Sequence, residues 1–389
     1  MSRETGGRSA VVVGAGIGGL AAAVALRRAG WQVDVLERAG SARELGFALL
    51  LAPNAVRALR QLGVADAVIA AGIVVRAGEI RRADGRLLRR LDLAEALRDR
   101  LGEDTVCVLR PVVHGALLGV VGDERLHFDC RAIDVEIVKG GASVRVEDGR
   151  VFRGRIVIGA DGARSHLRAR LLGERPLRYA GFTAWRGVAR DAAVDGDLTA
   201  RQYLGAGCEA GVARAAPDRV YWYLAVRAPA GGGRGAARAK TEAQACLAGF
   251  ERSFRALVDA TAAEDVRRDD VYDLDPLDVW GRGPVTLLGD AAHPMTPSAG
   301  QGAAQALADG AALGRALAAS GDAETALRQY ERDRRPRASA IVRLSRRNAR
   351  VLLVGNPAAR WVRDLGVRLI PNRLLIRQLV AIGCDETAT

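Results

Sequence analysis

The chain has 389 residues, 49% of them hydrophobic, 26% charged and only 4% aromatic. A chain of this size buries about 75% of the surface its unfolded form exposes, and its well-spread apolar content excludes disordered, collagen-like and disulfide-scaffold classes. The formal net charge is +13, yet all basic residues except Lys139 and Lys240 are arginine, which reads first as the codon bias of a GC-rich genome. No nucleic-acid-binding motif accompanies the charge, so no nucleic-acid partner is expected.

The opening MSRETGGRSA has no apolar signal segment. No run reaches the ~18 apolar residues of a membrane span. Five scattered cysteines form no C-x-x-C pair, so neither a metal site nor a disulfide framework is expected, and a reducing cytoplasm is the simplest setting. At roughly 100–200 residues per domain, two or three domains, or one large unit with an insertion, are expected.

Residues 9–38 carry the first chemistry. Ala10 to Val13 reads as a strand buried on both faces. Gly14, Gly16 and Gly19 then form G-x-G-x-x-G, an Ala/Leu-rich helix runs to Arg28, and a second strand from Gln32 ends at Glu37. Gly14 permits the tight turn, Gly16 lets backbone approach a pyrophosphate, and Gly19 lets helix pack on strand. The helix N-terminus offers free N–H groups to phosphate. Glu37 stands where a carboxylate accepts a ribose 2′-OH, which favours FAD or NAD. Arg38, beside it, is the residue that would argue for a 2′-phosphate, or else is a solvated charge.

Two further strand-loop motifs follow. IVIGADGARSHLR at 156–168 runs a buried strand into Asp161-Gly162, and VTLLGDAAHPMTPSAGQGAAQALADG at 285–310 runs another into Gly289-Asp290. A Pro/Gly loop with Pro297, Gly300, Gln301 and Gly302 leads to a helix from about Ala303. Together with VLRPVVHGALL at 108–118, APN at 52–54 and GFTAWRG at 181–187, these motifs resemble the single-component FAD-dependent aromatic hydroxylases, the p-hydroxybenzoate hydroxylase-like and salicylate hydroxylase-type flavoprotein monooxygenases, over about residues 9–345.

The resemblance implies that Arg110 lies along the flavin, that Asp161 serves flavin and nicotinamide, and that Asp290 accepts ribityl hydroxyls. It implies that Pro297, Gly300, Gln301, Gly302 and Ala303 form the flavin-cradling loop, whose helix dipole stabilises the anionic reduced ring, and that Met295 lies near substrate. The chain departs from the family at Ala304 and at Ala308-Asp309. His293, in DAAHP, is expected to be structural.

Only one dinucleotide fingerprint is present, so NAD(P)H is expected to bind transiently. The glycines at 205–211 read as a hairpin, because the strand VYWYLAV at 220–226 follows. Residues 177–272 are strand-rich. Alternation puts Tyr221 and Tyr223 on one face and Trp222 on the other, and the resemblance implies that the tyrosines face the cavity, with Tyr221 deprotonating or polarising substrate. Plain core filling is the other reading. Trp185 and Tyr223 are candidate substrate contacts. Arg186 either anchors an anionic substrate or supports the sheet–flavin interface, and Arg214 marks a place where the family often has proline. APAGGGRGAARAK at 228–240 reads as a loop. The stretch from Glu331 to Arg350 holds eight arginines and two acids and is expected to break near Pro336. Residues 361–383 are amphipathic, and pack either on the body of the protein, on a subunit partner, or on an anionic membrane surface.

The expected fold is α/β, with a Rossmann-like FAD-binding domain (1–75, 104–176 and 273–330), an inserted β-sheet substrate domain (76–103 and 177–272) and a C-terminal helical segment (331–389). The expected function is an FAD-dependent monooxygenase, a monomer or homodimer, that uses NAD(P)H and O2 to place one oxygen atom in an aromatic or N-heteroaromatic substrate, through a flavin C4a-hydroperoxide in this family. Alternatives are an alkene epoxidase and a non-catalytic flavoprotein partner. A halogenase is disfavoured, because neither lysine falls at the expected place and W-x-W-x-I-P is missing.

Overall fold

The computed structural model describes residues 7–41, 47–192, 198–232 and 235–384. The mixed α/β architecture read from the sequence is the one adopted. A six-stranded sheet has the order Gly281–Arg282, Val285–Leu287, Ile156–Gly159, Ser9–Val13, Gln32–Leu36, Leu126–His127. All neighbours are parallel except at the Gly281–Arg282 edge. The apolar runs predicted from the sequence are its inner strands, buried as parallel strands between helices require.

Helix Ile17–Arg28 makes the crossover between the first two strands. Helix Gly302–Ala319 lies against it at a separation only glycine allows. A Cβ on Gly310 would sit 2.7 Å from Ala21, and one on Gly314 2.7 Å from Ala25. Ala304 and Ala308 are buried in the same apolar core, so both departures from the family lie at packing positions.

A seven-stranded sheet has the order Val266–Asp273, Arg178–Arg190, Arg219–Arg227, Cys208–Ala216, Thr199–Leu204, Ala77–Arg82, Leu87–Asp92. The hairpin at 77–92 joins it by parallel pairing of Ala77–Arg82 with Thr199–Leu204. One face packs on helices Ala236–Ala245 and Arg252–Ala260 through Trp185, Trp222, Phe250 and Phe254. The other turns toward a small sheet of Ala48–Leu51, Thr105–Leu109 and Ile73–Val75.

Two local expectations are corrected. The loop read at 228–240 gives way to helix from Ala236, while residues 233–234 lie outside the described residues. Ala239 and Ala243 bury into the sheet core, and that packing outweighs the glycine-rich composition before them. The break near Pro336 is also absent: one helix runs Ala323–Leu352 straight through it. An interior proline costs about 3 kcal/mol. Anchors on both sides offset this, with the Tyr330 hydroxyl donating to Leu287 O, Arg334 paired to Asp309, and Arg337 donating to the carbonyls of Ala381, Ile382 and Cys384.

Candidate active site

The glycine turn after Ser9–Val13 divides its labour as its spacing requires. Gly14 has φ +107°, and a Cβ there would meet Ala160 O at 2.3 Å. A Cβ on Gly19 would lie 1.8 Å from Gly14 O. Gly16 differs: nothing of the protein lies within 4 Å of its Cβ position. Helix Ile17–Arg28 starts there with no side-chain cap, so its first N–H groups remain available to an anion. The Glu37 carboxylate accepts from Ala15 N at 2.8 Å and Ala39 N at 2.9 Å, fastening the turn to the second strand.

The Asp161-Gly162 and Gly289-Asp290 turns are tied together by Arg168, which is buried and donates to Ala163 O at 2.7 Å and Ala291 O at 2.9 Å. Asp161 is largely occupied with its own helix: it accepts from the Ser165 hydroxyl and from the N–H groups of His166 and Leu167. Asp290 is exposed to the cavity it opens onto. The protein crowded around it nonetheless desolvates its carboxyl and raises it above the usual range, against the pull of His293, Arg110 and Arg168.

Beneath the second turn lies a buried hub. Asp309 accepts from Gly289 N at 3.0 Å, His293 Nε2 at 2.6 Å and Arg334 Nε at 2.7 Å. Burial opposes its charge, but His293 and Arg334 hold its carboxyl below the usual range. His293 is thus engaged with Asp309, stacked beside Trp280 with ring centroids 5.2 Å apart. Arg334 continues to Gln305 Oε1 at 2.7 Å, and Gln301 Oε1 accepts from Gln305 at 3.1 Å and Asn54 at 2.9 Å. The chain leaves Pro297–Ala299 through Gly300 at φ +62°, then starts Gly302–Ala319 with no side-chain cap. Gly302 and Ala303 are half-buried in its first turn. Arg110 opens helix Arg110–Val121, its N–H donated to Phe47 O at 2.7 Å.

These residues fit a dinucleotide flavin. The Gly16 side of the turn is open, two helix N-termini are uncapped, and Asn54 Oδ1 is buried without a partner.

The seven-stranded sheet supplies the opposite wall. Tyr221 and Tyr223 share a face, ring centroids 6.4 Å apart. The Tyr223 ring lies over Gly211, whose Cβ would be 2.2 Å from it. Register places Arg186 opposite Tyr223 and beside the Tyr221 hydroxyl, with Asp269 at 3.2 Å from its guanidinium. Burial raises the Tyr221 phenol, although Arg186 pulls it down, so its proton is retained. Glu209 comes up on the same face, buried, accepting from Gln202 at 2.8 Å and from the Tyr223 hydroxyl. Burial pushes its carboxyl up to about 7, against Gln202, Tyr223 and Arg363.

The cavity between the walls measures about 980 Å³. It brings together Arg38, Asp161, Asp290, Met295 and Pro297 from the first wall and Arg186 from the second. Four substrate-side candidates read from the sequence do not line it: Tyr221 packs toward Ala48, Val75 and Cys107 of the small sheet, reaching the cavity only through its neighbour Arg186, Tyr223 lies beside it on the same face, and Trp185 and Arg214 point elsewhere. Trp185 is buried on the opposite face, in the core with Trp222. A strand alternates its faces, so a residue next to Arg186 has to point away from it. Arg214 pairs with Val220, whose side chain is in that core, and its guanidinium donates to Pro217 O at 2.7 Å in the hairpin.

Sequence reasoning missed Glu209, Gln202, Asn54, Arg168, Arg334 and the hub role of Asp309. Glu209 had one signal: it is the one acid of its strand, two residues before Gly211.

The chain matches the family model described as FAD binding domain over residues 8–345. It is 35% identical to the aurachin C monooxygenase/isomerase of Stigmatella aurantiaca, over 94% of this chain and 95% of that one. It is 31% identical to an FAD-dependent urate hydroxylase of Klebsiella pneumoniae, over 87% and 88%. The Klebsiella pneumoniae HpxO crystal structure, complexed with FAD and uric acid, superposes with a TM-score of 0.90 at 27% identity, covering 97% of each chain.

Proposed function

The chain belongs to the FAD-binding-domain family of FAD-dependent aromatic hydroxylases, and from that membership we propose that it hydroxylates a polar aromatic or N-heteroaromatic compound. The observation that carries this reading is the single cavity shared by Asp290, Met295 and Pro297 on one wall and Arg186 on the other. Its lining mixes five arginines, Arg164 and Arg267 among them, with six carboxylates, Asp269 among them, and favours a polar, strongly hydrogen-bonding ring over the lipophilic alkene of an epoxidase.

Bound FAD supplies the redox and oxygen chemistry, drawing electrons from NAD(P)H and oxygen from O2. The protein's own part is binding, orientation and proton handling. Gly16 and the start of Ile17–Arg28 would hold the pyrophosphate, Glu37 the adenosine ribose, Asp290 the ribityl chain, and Gln301, Gly302, Ala303 and Arg110 the ring. Arg186 attracts an anionic substrate. Tyr221, which keeps its proton, donates a hydrogen bond to the substrate oxygen, and Glu209, whose carboxyl lies at about 7, accepts a proton relayed through Tyr223. Residues 1–75, 104–176 and 273–330 form the FAD unit, and 76–103 with 177–272 the substrate unit. A cytoplasmic setting is supported by five free cysteines.

The test is NAD(P)H oxidation by the FAD-loaded protein against phenols, N-heteroaromatics and alkenes, with product oxygen counted. Hydroxylated ring products are expected. Turnover of isolated alkenes alone would overturn the reading.

A further inference from the structure

Helices Pro357–Leu369 and Asn372–Gly383 are fastened to the body through polar contacts. Arg363 is buried and donates to Gly205 O at 3.2 Å and Leu352 O at 3.0 Å. Arg89 caps the joint between the helices, donating to Val367 O at 2.8 Å, Ile370 O at 2.6 Å and Asn372 Oδ1 at 2.6 Å. Arg337 closes the second helix at the Ala381 and Ile382 carbonyls.

The apolar side is left outside. Trp361, Val362, Leu365 and Leu369 fall on one stripe of the first helix, and Trp361 is 66% and Leu369 69% exposed. On the second helix Leu374 is 51% exposed as well. A helix normally turns such a stripe to the core. Trp361 stands apart from the other four tryptophans, all of which are buried.

The charge around the stripe is one-sided. Residues 357–384 carry five arginines, at 360, 363, 368, 373 and 377, and one acid, Asp364. Asp364 is already paired with Arg363 at 2.9 Å. Beside Trp361 a cavity of about 470 Å³ is lined by Arg82, Arg86, Arg360 and Arg368 and by one acid, Asp364, which faces Arg82 at 3.8 Å. A second copy of the same face would bring like charges together, whereas an anionic bilayer complements them. Among the described residues no helix is long and apolar enough to cross a membrane, so the geometry suits a helix lying in the interface, its tryptophan at headgroup level.

We propose that the C-terminal helix pair is a peripheral docking surface for an anionic lipid bilayer. Trp361, Leu365 and Leu369 enter the headgroup region, while Arg86, Arg360 and Arg368 meet lipid phosphates. This surface is independent of the flavin site, so its test needs no turnover.

The test is co-sedimentation of the FAD-loaded full chain with vesicles of phosphatidylcholine alone or mixed with phosphatidylglycerol. Binding is expected to the mixed vesicles, weakened by high salt, with a blue shift of tryptophan emission that Trp361→Ser abolishes. A Trp361→Ser/Leu369→Ser variant should lose about tenfold or more in partitioning, with flavin content and melting temperature unchanged. No binding to the mixed vesicles at low salt, or equal binding by the double variant, would overturn the proposal. So would a concentration-dependent dimer that shields Trp361 without lipid.

Discussion

Arg334 Nε sits 2.7 Å from Asp309 Oδ1, and neither side chain is exposed. This pair joins helix Ala323–Leu352 to helix Gly302–Ala319, and through Gly289 N it sets the turn that presents Asp290. Removing one partner of a buried ion pair costs about 3–5 kcal/mol. Arg334→Met and Asp309→Asn should therefore lower the melting temperature sharply and reduce flavin retained on purification. Calorimetry and the ratio of flavin to protein absorbance read both. Arg334→Lys keeps the charge but loses the fork to Gln305, and should rescue only in part.

The fingerprint glycines should separate into two kinds. Gly19→Ala drives a Cβ to 1.8 Å from Gly14 O and should lose folded yield. Gly16→Ala meets no protein atom within 4 Å. It should leave the melting temperature of the FAD-free protein unchanged while weakening FAD binding about tenfold or more, the equivalent of about 1.4 kcal/mol. A flavin titration by fluorescence measures the difference.

Glu209 makes stability fall as pH rises. Its folded carboxyl titrates at about 7 against a usual 4.5. Between those values the folded state holds the proton that the unfolded state has released, so stability is greatest below the unfolded value and is lost on approach to pH 7. The amplitude is about 3 kcal/mol. Glu209→Gln should flatten this part of the stability–pH curve. If Glu209 accepts the substrate proton, kcat rises with pH to a plateau above about 7, and the same variant removes that limb.

Tyr221→Phe should lower kcat about a hundredfold on substrates that must give up or share a hydroxyl proton, with flavin content unchanged. Trp185→Phe should behave oppositely: KM and substrate range stay the same, because the indole packs in the core on the other face, while stability drops by about 1 kcal/mol. Steady-state kinetics and thermal melts on the two variants distinguish a residue that acts on substrate from a core residue.

The flavin side was legible because its signals are local. Gly14, Gly16, Gly19 and Glu37 act within 25 residues of one another, and strand, turn and helix leave their own patterns there. The misplacement of Trp185 was avoidable, since the alternation that separated Trp222 from its neighbouring tyrosines also separates Trp185 from Arg186. The Asp309–Arg334 hub and the Glu209–Tyr223 contact were not legible in the same way. Each joins segments brought together only by tertiary packing. Pro336 shows the same limit in reverse, as its intrinsic penalty is overridden by anchors from the strand before it and the helix after it.

The most direct test of the account is turnover in 18O2. FAD-loaded protein, NAD(P)H and a polar aromatic substrate that stimulates nicotinamide oxidation are incubated under labelled oxygen, and the product is weighed by mass spectrometry. One labelled oxygen atom on the ring, formed in proportion to NAD(P)H consumed, is the predicted result. An unlabelled product, or a protein that remains colourless in the presence of FAD, would contradict it.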